Sequence, residues 1–220
     1  MMKGNQQRYI QYLSEFAKEN KVHIWLGGSF LKGNATAYSD VDISVCCKAE
    51  QAKQLIYGYG DPVFLSRTSN PMGILIVIYE DGVSVDLEIV KSIEKTGVDF
   101  FHQEDIKVFD YKRDEDIYKE IVMRDDKPYQ VSRLFHRSLI KYLSGKEDIG
   151  ISIANEIATF LEIADCIDQS NYMKEIRLLL DDFSKLYPLE KEYAKLLEEI
   201  IEYETLKQDI PELMEKLKGE

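Results

Sequence analysis

The chain is poor in the residues that staple small proteins or gather metals. It has 3 cysteines in 220 residues, and two of them, Cys46 and Cys47, are adjacent. That count and spacing exclude a disulfide framework and offer no zinc-ligand pattern. Its 3 histidines are scattered: His23 reads as an ordinary strand residue, and His102, in a Phe-Phe-His run, as packing. Basic residues are outnumbered, 28 Lys and Arg against 40 Asp and Glu, for a net charge of −12. A general nucleic-acid binder needs a basic surface for phosphate contacts, so none is expected. An acidic surface suits a cationic substrate or a basic protein partner, and it is also common among enzymes with neither. No apolar run is long enough to span a bilayer. The start, MMKGNQQRYI, lacks the apolar core of a signal peptide. A cytoplasmic protein without membrane contact is therefore expected. With 45% hydrophobic residues the chain can bury a real core, as one large domain or two small ones. It has no internal repeat and no low-complexity tract.

What the sequence does have is concentrated in residues 22–45, VHIWLGGSFLKGNATAYSDVDISV. An apolar run, a Gly27-Gly28-Ser29 turn and a polar loop lead to a second apolar run opening on Asp40-Val41-Asp42. Side chains alternate along a strand, so Asp40 and Asp42 project from one face and Val41, Ile43 and Val45 from the other. Two neighbouring carboxylates repel, and the arrangement is stable when a cation lies between them or one takes up a proton. Mg²⁺ is the hard cation suited to an oxygen-only site beside a phosphate. The glycines let a ligand approach backbone N–H groups, as a phosphate requires. A plain tight turn explains them equally well.

Before this stretch, residues 5–20 have helical spacing, with Ile10, Leu13, Phe16 and Ala17 on one face. After it, residues 49–60 read as a helix ending at a glycine. Residues 62–69 read as a strand with Pro62 at its start, as an edge strand tolerates. Two β-rich runs in 73–90 flank Glu80-Asp81-Gly82, a strong hairpin signal. In the second run Ser84, Asp86 and Glu88 share a face. Residues 91–116 are mixed, with KVFD (107–110) as a short strand. From about residue 114 the pattern is helical: 114–123, 129–144, 149–167, 171–187 and 188–208, punctuated by Gly145, Asn171 and Pro188. Val131, Leu134, Phe135, Leu139, Tyr142 and Leu143 make one apolar face; Ile176, Leu179, Leu180, Phe183 and Leu186 make another. Arg133, Arg137 and Lys141 form a basic stripe with His136 nearby, either a solvated face or a triphosphate contact. Lys91 is a weaker phosphate candidate.

Gly28-Ser29, a ten-residue spacer, Asp40-Val41-Asp42 and a later acidic strand, VSVDLEIV with Asp86, together resemble the DNA polymerase β-type nucleotidyltransferase superfamily. The resemblance covers roughly the first half of the chain. In layout, a sheet domain followed by a helical domain at this length is similar to aminoglycoside and lincosamide nucleotidyltransferases. It implies an α+β fold: a small mixed or antiparallel sheet with flanking helices in residues 1–115, and a C-terminal helical bundle in 116–220.

The resemblance implies a transferase that moves a nucleoside monophosphate, AMP from ATP or its equivalent from another NTP, to a hydroxyl of a small molecule. An aminoglycoside-type antibiotic is the expected acceptor. Asp40, Asp42 and Asp86 would hold Mg²⁺, two ions clamping the entering and leaving oxygens. Asp86 either completes the second metal site or accepts the proton of the attacking hydroxyl, with Glu88 as an alternative base. Gly28, Ser29 and Lys32 would contact the β- and γ-phosphates. Ser39 is expected to brace the loop before the first aspartate. A homodimer is left open. Two rivals stand beside this: an antitoxin-type regulator that adenylylates or binds a protein partner, and a degenerate fold that binds nucleotide without turnover.

Overall fold

The computed structural model describes residues 2–68, 74–90, 115–122, 124–163 and 167–218. The expected KVFD strand, Lys91 and His102 lie outside them. The chain forms two compact units, Met1–Asp126 and Lys127–Glu220.

Among the described residues, the first unit carries one mixed sheet. Its strands are β1 (His23–Leu26), β2 (Val41–Cys46), β3 (Pro62–Arg67), β4 (Leu75–Tyr79) and β5 (Ser84–Val90). Their order in space is β1-β2-β5-β4-β3. β1 runs antiparallel to β2, β2 parallel to β5, and β5 and β3 antiparallel to β4. The Asp-Gly hairpin forms as its sequence predicts. Gly82 takes φ +82, the Val83 amide donates to Asp81 Oδ1 at 3.2 Å, and the Tyr79 amide to the Val83 carbonyl at 2.9 Å.

Two long helices, α1 (Met2–Asn20) and α3 (Ala49–Tyr59), share one core with a face of this sheet. α1 brings Tyr9, Leu13, Phe16 and Ala17 to that core. α3 brings Ala52, Leu55 and Ile56. The sheet answers with Val41, Ile43 and Val45 of β2, Leu75 and Val77 of β4, and Val85, Leu87 and Ile89 of β5. Period-two alternation places these on one face, leaving the acidic positions of β2 and β5 on the other. The end of α1 carries no glycine. Lys21 adopts φ +53 and the Val22 amide donates back to the Ala17 carbonyl, closing the helix.

The boundary between units falls later than the composition change at 115/116. Helix α4 (Glu115–Ile121) belongs with the sheet: Tyr118 and Ile121 join its core, and Tyr118 Oη accepts from the Ile89 amide at 2.9 Å. Arg67, at the end of β3, holds Asp125 through Nε at 3.0 Å and Nη2 at 2.8 Å.

The second unit is helical: α5 (Lys127–Leu143), α6 (Glu147–Phe160), α7 (Tyr172–Leu186) and α8 (Lys191–Lys218). Gly145 ends α5 at φ +82, as expected of a C-terminal glycine. α6 stops at Phe160 rather than 167, because Glu162 takes the left-handed conformation at φ +58 and Ile163 donates back to the Ala158 carbonyl. α8 runs ten residues past the expected 208. Val131, Phe135 and Leu139 of α5 and Ile176, Leu179, Leu180 and Phe183 of α7 are buried as predicted. Leu186 is not: at the last position of α7 it is 64% exposed. Among the described residues, no helix is long and apolar enough to cross a membrane.

α5 and α6 meet at Gly150. Ser138 Oγ bonds the Gly150 carbonyl at 2.7 Å and lies 2.6 Å from Tyr172 Oη. A Cβ on Gly150 would lie 2.7 Å from Tyr142 Cβ and 2.8 Å from the Tyr142 nitrogen, so backbone would have to move. Gly150→Ala is therefore expected to destabilise the helical unit by about 1–3 kcal/mol, the usual cost of overpacking. Urea denaturation checks this; an unchanged midpoint would show that the two helices yield freely.

Candidate functional site

The site is built by the parallel pairing of β2 and β5. Their register sets Val41 against Val85, Asp42 against Asp86, Ile43 against Leu87 and Ser44 against Glu88. Paired positions in adjacent strands project to the same face, so Asp42 and Asp86 are direct neighbours on the face opposite the α1–α3 core. Across the sheet the row continues to Ile76 of β4 and Ser66 of β3. Ile76 is 6% exposed and Ser66 fully buried. Asp86 thus has an acid on one flank and an isoleucine on the other. Both aspartates are half-buried.

One row further along, Ser44 Oγ donates to Glu88 Oε2 at 3.1 Å. Glu88 therefore has a hydrogen-bond partner on β2. Ser44 was not among the expected site residues; its signal was its place two residues after Asp42, on the same strand face.

The glycine turn packs against the first of these acids. The Gly27 amide donates to the Asp42 carbonyl at 2.8 Å, extending the β1–β2 ladder by one bond. The chain then turns into a single helical turn, α2 (Gly28–Leu31), where the sequence predicts only a turn and loop. Four residues are too few to show a helical period. Gly28 sits at φ +58, and a Cβ there would fall 1.7 Å from Asp42 Oδ2. Glycine is thus required twice over: for the left-handed backbone and for the approach of the carboxylate. Gly27 differs, with φ −118 and its would-be Cβ 3.6 Å from Asp42 Cβ, ordinary contact. Ser29 is half-buried within the turn, and Lys32 ends it, exposed to solvent.

Asp40 lies one residue before β2, at the end of a loop that is tied to itself. The Thr36 amide donates to Ser39 Oγ at 2.9 Å, and the Ser39 amide to the Thr36 carbonyl at 3.2 Å. The bracing role expected for Ser39 is present. Gln6 of α1, 3% exposed, reaches this loop and donates from Nε2 to the carbonyls of Ser39 at 2.6 Å and Ala37 at 3.3 Å. Its signal was a polar residue three positions before Tyr9, on the buried stripe of an amphipathic helix.

Cys46 ends β2 and Cys47 follows it. Burial pushes both thiols up, Cys47 to about 12, so neither is a ready thiolate near neutral pH. Of the basic stripe, Arg133 and Lys141 are half-buried and Arg137 exposed, and His136 is buried; all four belong to the helical unit.

Oxygen donors on one rigid face are the chemistry of a hard-cation site. The structure brings Asp42 and Asp86 into register with Gly28 pressed against the former, and this donor set fits such an ion. Among the described residues, no three His, Cys, Asp or Glu side chains are gathered as they stand into a group that could hold a metal.

Gly28→Ala should displace the Asp42 carboxylate and strain the turn, at a cost of about 1–2 kcal/mol for the left-handed backbone alone. Gly27→Ala should cost far less. Equal denaturation midpoints for the two variants would contradict the packing of Gly28 on Asp42.

A family model described as a nucleotidyltransferase domain matches residues 7–130, more than half of the chain. The match contains every strand of the sheet, the glycine turn and all three aspartates. No curated protein matches the chain.

Proposed function

Because the chain belongs to the nucleotidyltransferase domain family, a family of transferases of nucleotidyl groups, we propose that it moves AMP from ATP to a hydroxyl of a small, cationic acceptor of the aminoglycoside type. The observation that carries this reading is the pairing of Asp42 with Asp86 under the Gly28 turn. With both ionised, carboxylates at adjacent strand positions about 5 Å apart repel by on the order of 3 kcal/mol at an effective dielectric of about 20. A divalent cation removes that cost. Asp40, Asp42 and Asp86 are the residues that would hold Mg²⁺. Two such ions, if bound there, would supply charge stabilisation for the entering and leaving oxygens of an in-line displacement.

The remaining roles fall to the chain itself. The acceptor oxygen bonds to the α-phosphorus as the bridge to the β-phosphate breaks and pyrophosphate departs. The hydroxyl proton passes to a carboxylate of β5. Asp86 takes it unless it is wholly engaged as a ligand; Glu88, one row on and hydrogen-bonded to Ser44, is the alternative. Ser29 and the backbone at Gly28, pressed against Asp42, suit the β- and γ-phosphates, and Lys32, exposed at the end of the same turn, would add a positive charge to them. A net charge of −12 favours a polycationic acceptor and disfavours a long nucleic acid.

The test is pyrophosphate release from ATP and Mg²⁺ across a panel of aminoglycosides and lincosamides. Turnover is expected with a drug acceptor and should fall roughly 100-fold or more in Asp42→Asn, the scale of losing a transition-state charge stabiliser. Undiminished activity in that variant would remove Asp42 from the site. Transfer of label only to a co-purified protein would favour the rival reading, a regulator that adenylylates a protein partner.

A further inference from the structure

We propose that Gln6 is a positioning residue for Asp40. This rests on the placement of Asp40 among the metal-binding carboxylates made above.

Asp42 and Asp86 sit within hydrogen-bonded strands paired on both sides, Asp42 with the Gly27 amide and β5, Asp86 with β2 and β4. Asp40 does not, since β2 begins at Val41. The loop before it is closed on itself through Thr36 and Ser39. Gln6 ties that loop to α1. Its shorter hydrogen bond, 2.6 Å, is to the Ser39 carbonyl. That carbonyl belongs to the peptide unit whose nitrogen is Asp40's own. Holding it sets the direction in which the chain arrives at Asp40.

The choice of glutamine is costly for stability alone. Gln6 is 3% exposed on a stripe otherwise made of Tyr9, Leu13, Phe16 and Ala17. Its Oε1 is buried with no hydrogen-bond partner among the described residues. The amide cannot be turned to relieve this, because both of its contacts are to carbonyl oxygens and need the NH₂ group. A stripe selected only for packing would carry an apolar side chain here and leave no unmet acceptor. The two donors are what glutamine adds.

The same turn of α1 also grips the hairpin that leads into β5. Asn5 Nδ2 donates to the Asp81 carbonyl at 2.8 Å, and Arg8 Nη2 to Asp81 Oδ2 at 2.8 Å. β2 and β5 are parallel, so the loop before one and the hairpin before the other lie at the same end of the sheet. One helical turn thereby references Asp40 to the frame that carries Asp86.

The test is Mn²⁺ binding by the full chain, with free Mn²⁺ read by electron paramagnetic resonance. Four proteins are compared: wild type, Gln6→Met, Asp40→Asn and the double variant. Gln6→Met keeps the length of the side chain and removes both donors. It should weaken Mn²⁺ at least about tenfold, the usual effect of losing a residue that orients a ligand. The double variant should bind no more weakly than Asp40→Asn alone, because Gln6 acts through Asp40. Wild-type affinity in Gln6→Met, or losses that add in full, would overturn the inference while leaving the metal-dependent reading intact. A folded wild type that binds no Mn²⁺ would overturn that reading and this inference with it. Circular dichroism reports folding, with Gln6→Leu as a second variant. If neither variant folds, Gln6 serves stability and the inference falls.

Discussion

Strand β5 reaches β2 only after the chain has passed through α3, β3 and β4, and it then pairs in parallel. Everything at the site depends on that pairing. Had β5 docked one residue out of register, its acids would point into the α1–α3 core and Val85, Leu87 and Ile89 to the carboxylate face. The register is set by burial. Val41, Ile43 and Val45 on β2 and Val85, Leu87 and Ile89 on β5 all enter one core, and each is at most 3% exposed. The hydrophobic effect on one face thus forces like charges together on the other. The fold tolerates their repulsion because the apolar face holds the strands in place.

The glycine turn adds a second constraint at the same point. Gly27 continues the β1 ladder onto Asp42, and Gly28 then turns tightly enough to touch that residue's carboxylate. The backbone of one segment and the side chain of the next are fixed against each other by these contacts. Such pre-set geometry is what phosphoryl-transfer chemistry asks of a protein, since positioning and charge stabilisation supply most of the catalysis.

Much of this was legible in the residues. Alternation identified the strands, Asp81-Gly82 the hairpin, and the combination of Gly28-Ser29 with Asp40-x-Asp42 and Asp86 the family. What the sequence could not express was long-range or too short to have a period. Alternation in β2 and β5 is equally consistent with parallel or antiparallel neighbours, so their direction was open. The turn after Gly28 is helical for only four residues. The left-handed residue just past the end of α6 is Glu162, not a glycine, so the sequence carries no stop signal there. Leu186 fits its apolar stripe by spacing, yet falls at a helix end where α7 no longer needs cover. A polar residue at a helix start reads as solvent-facing, but α1 begins earlier, at Met2, and Gln6 falls on its buried stripe. The charge and apolar pattern of α4 looked like the helical half of the chain, but Tyr118 commits it to the sheet.

The most direct measurement is the position of bound metal in crystals grown with Mn²⁺ and a non-hydrolysable ATP analogue. Anomalous scattering from Mn²⁺ should appear against the carboxylates of Asp42 and Asp86, with the triphosphate beside the Gly28 turn. Mn²⁺ bound elsewhere, or Asp86 projecting from the opposite side of the sheet to Asp42, would contradict the site described.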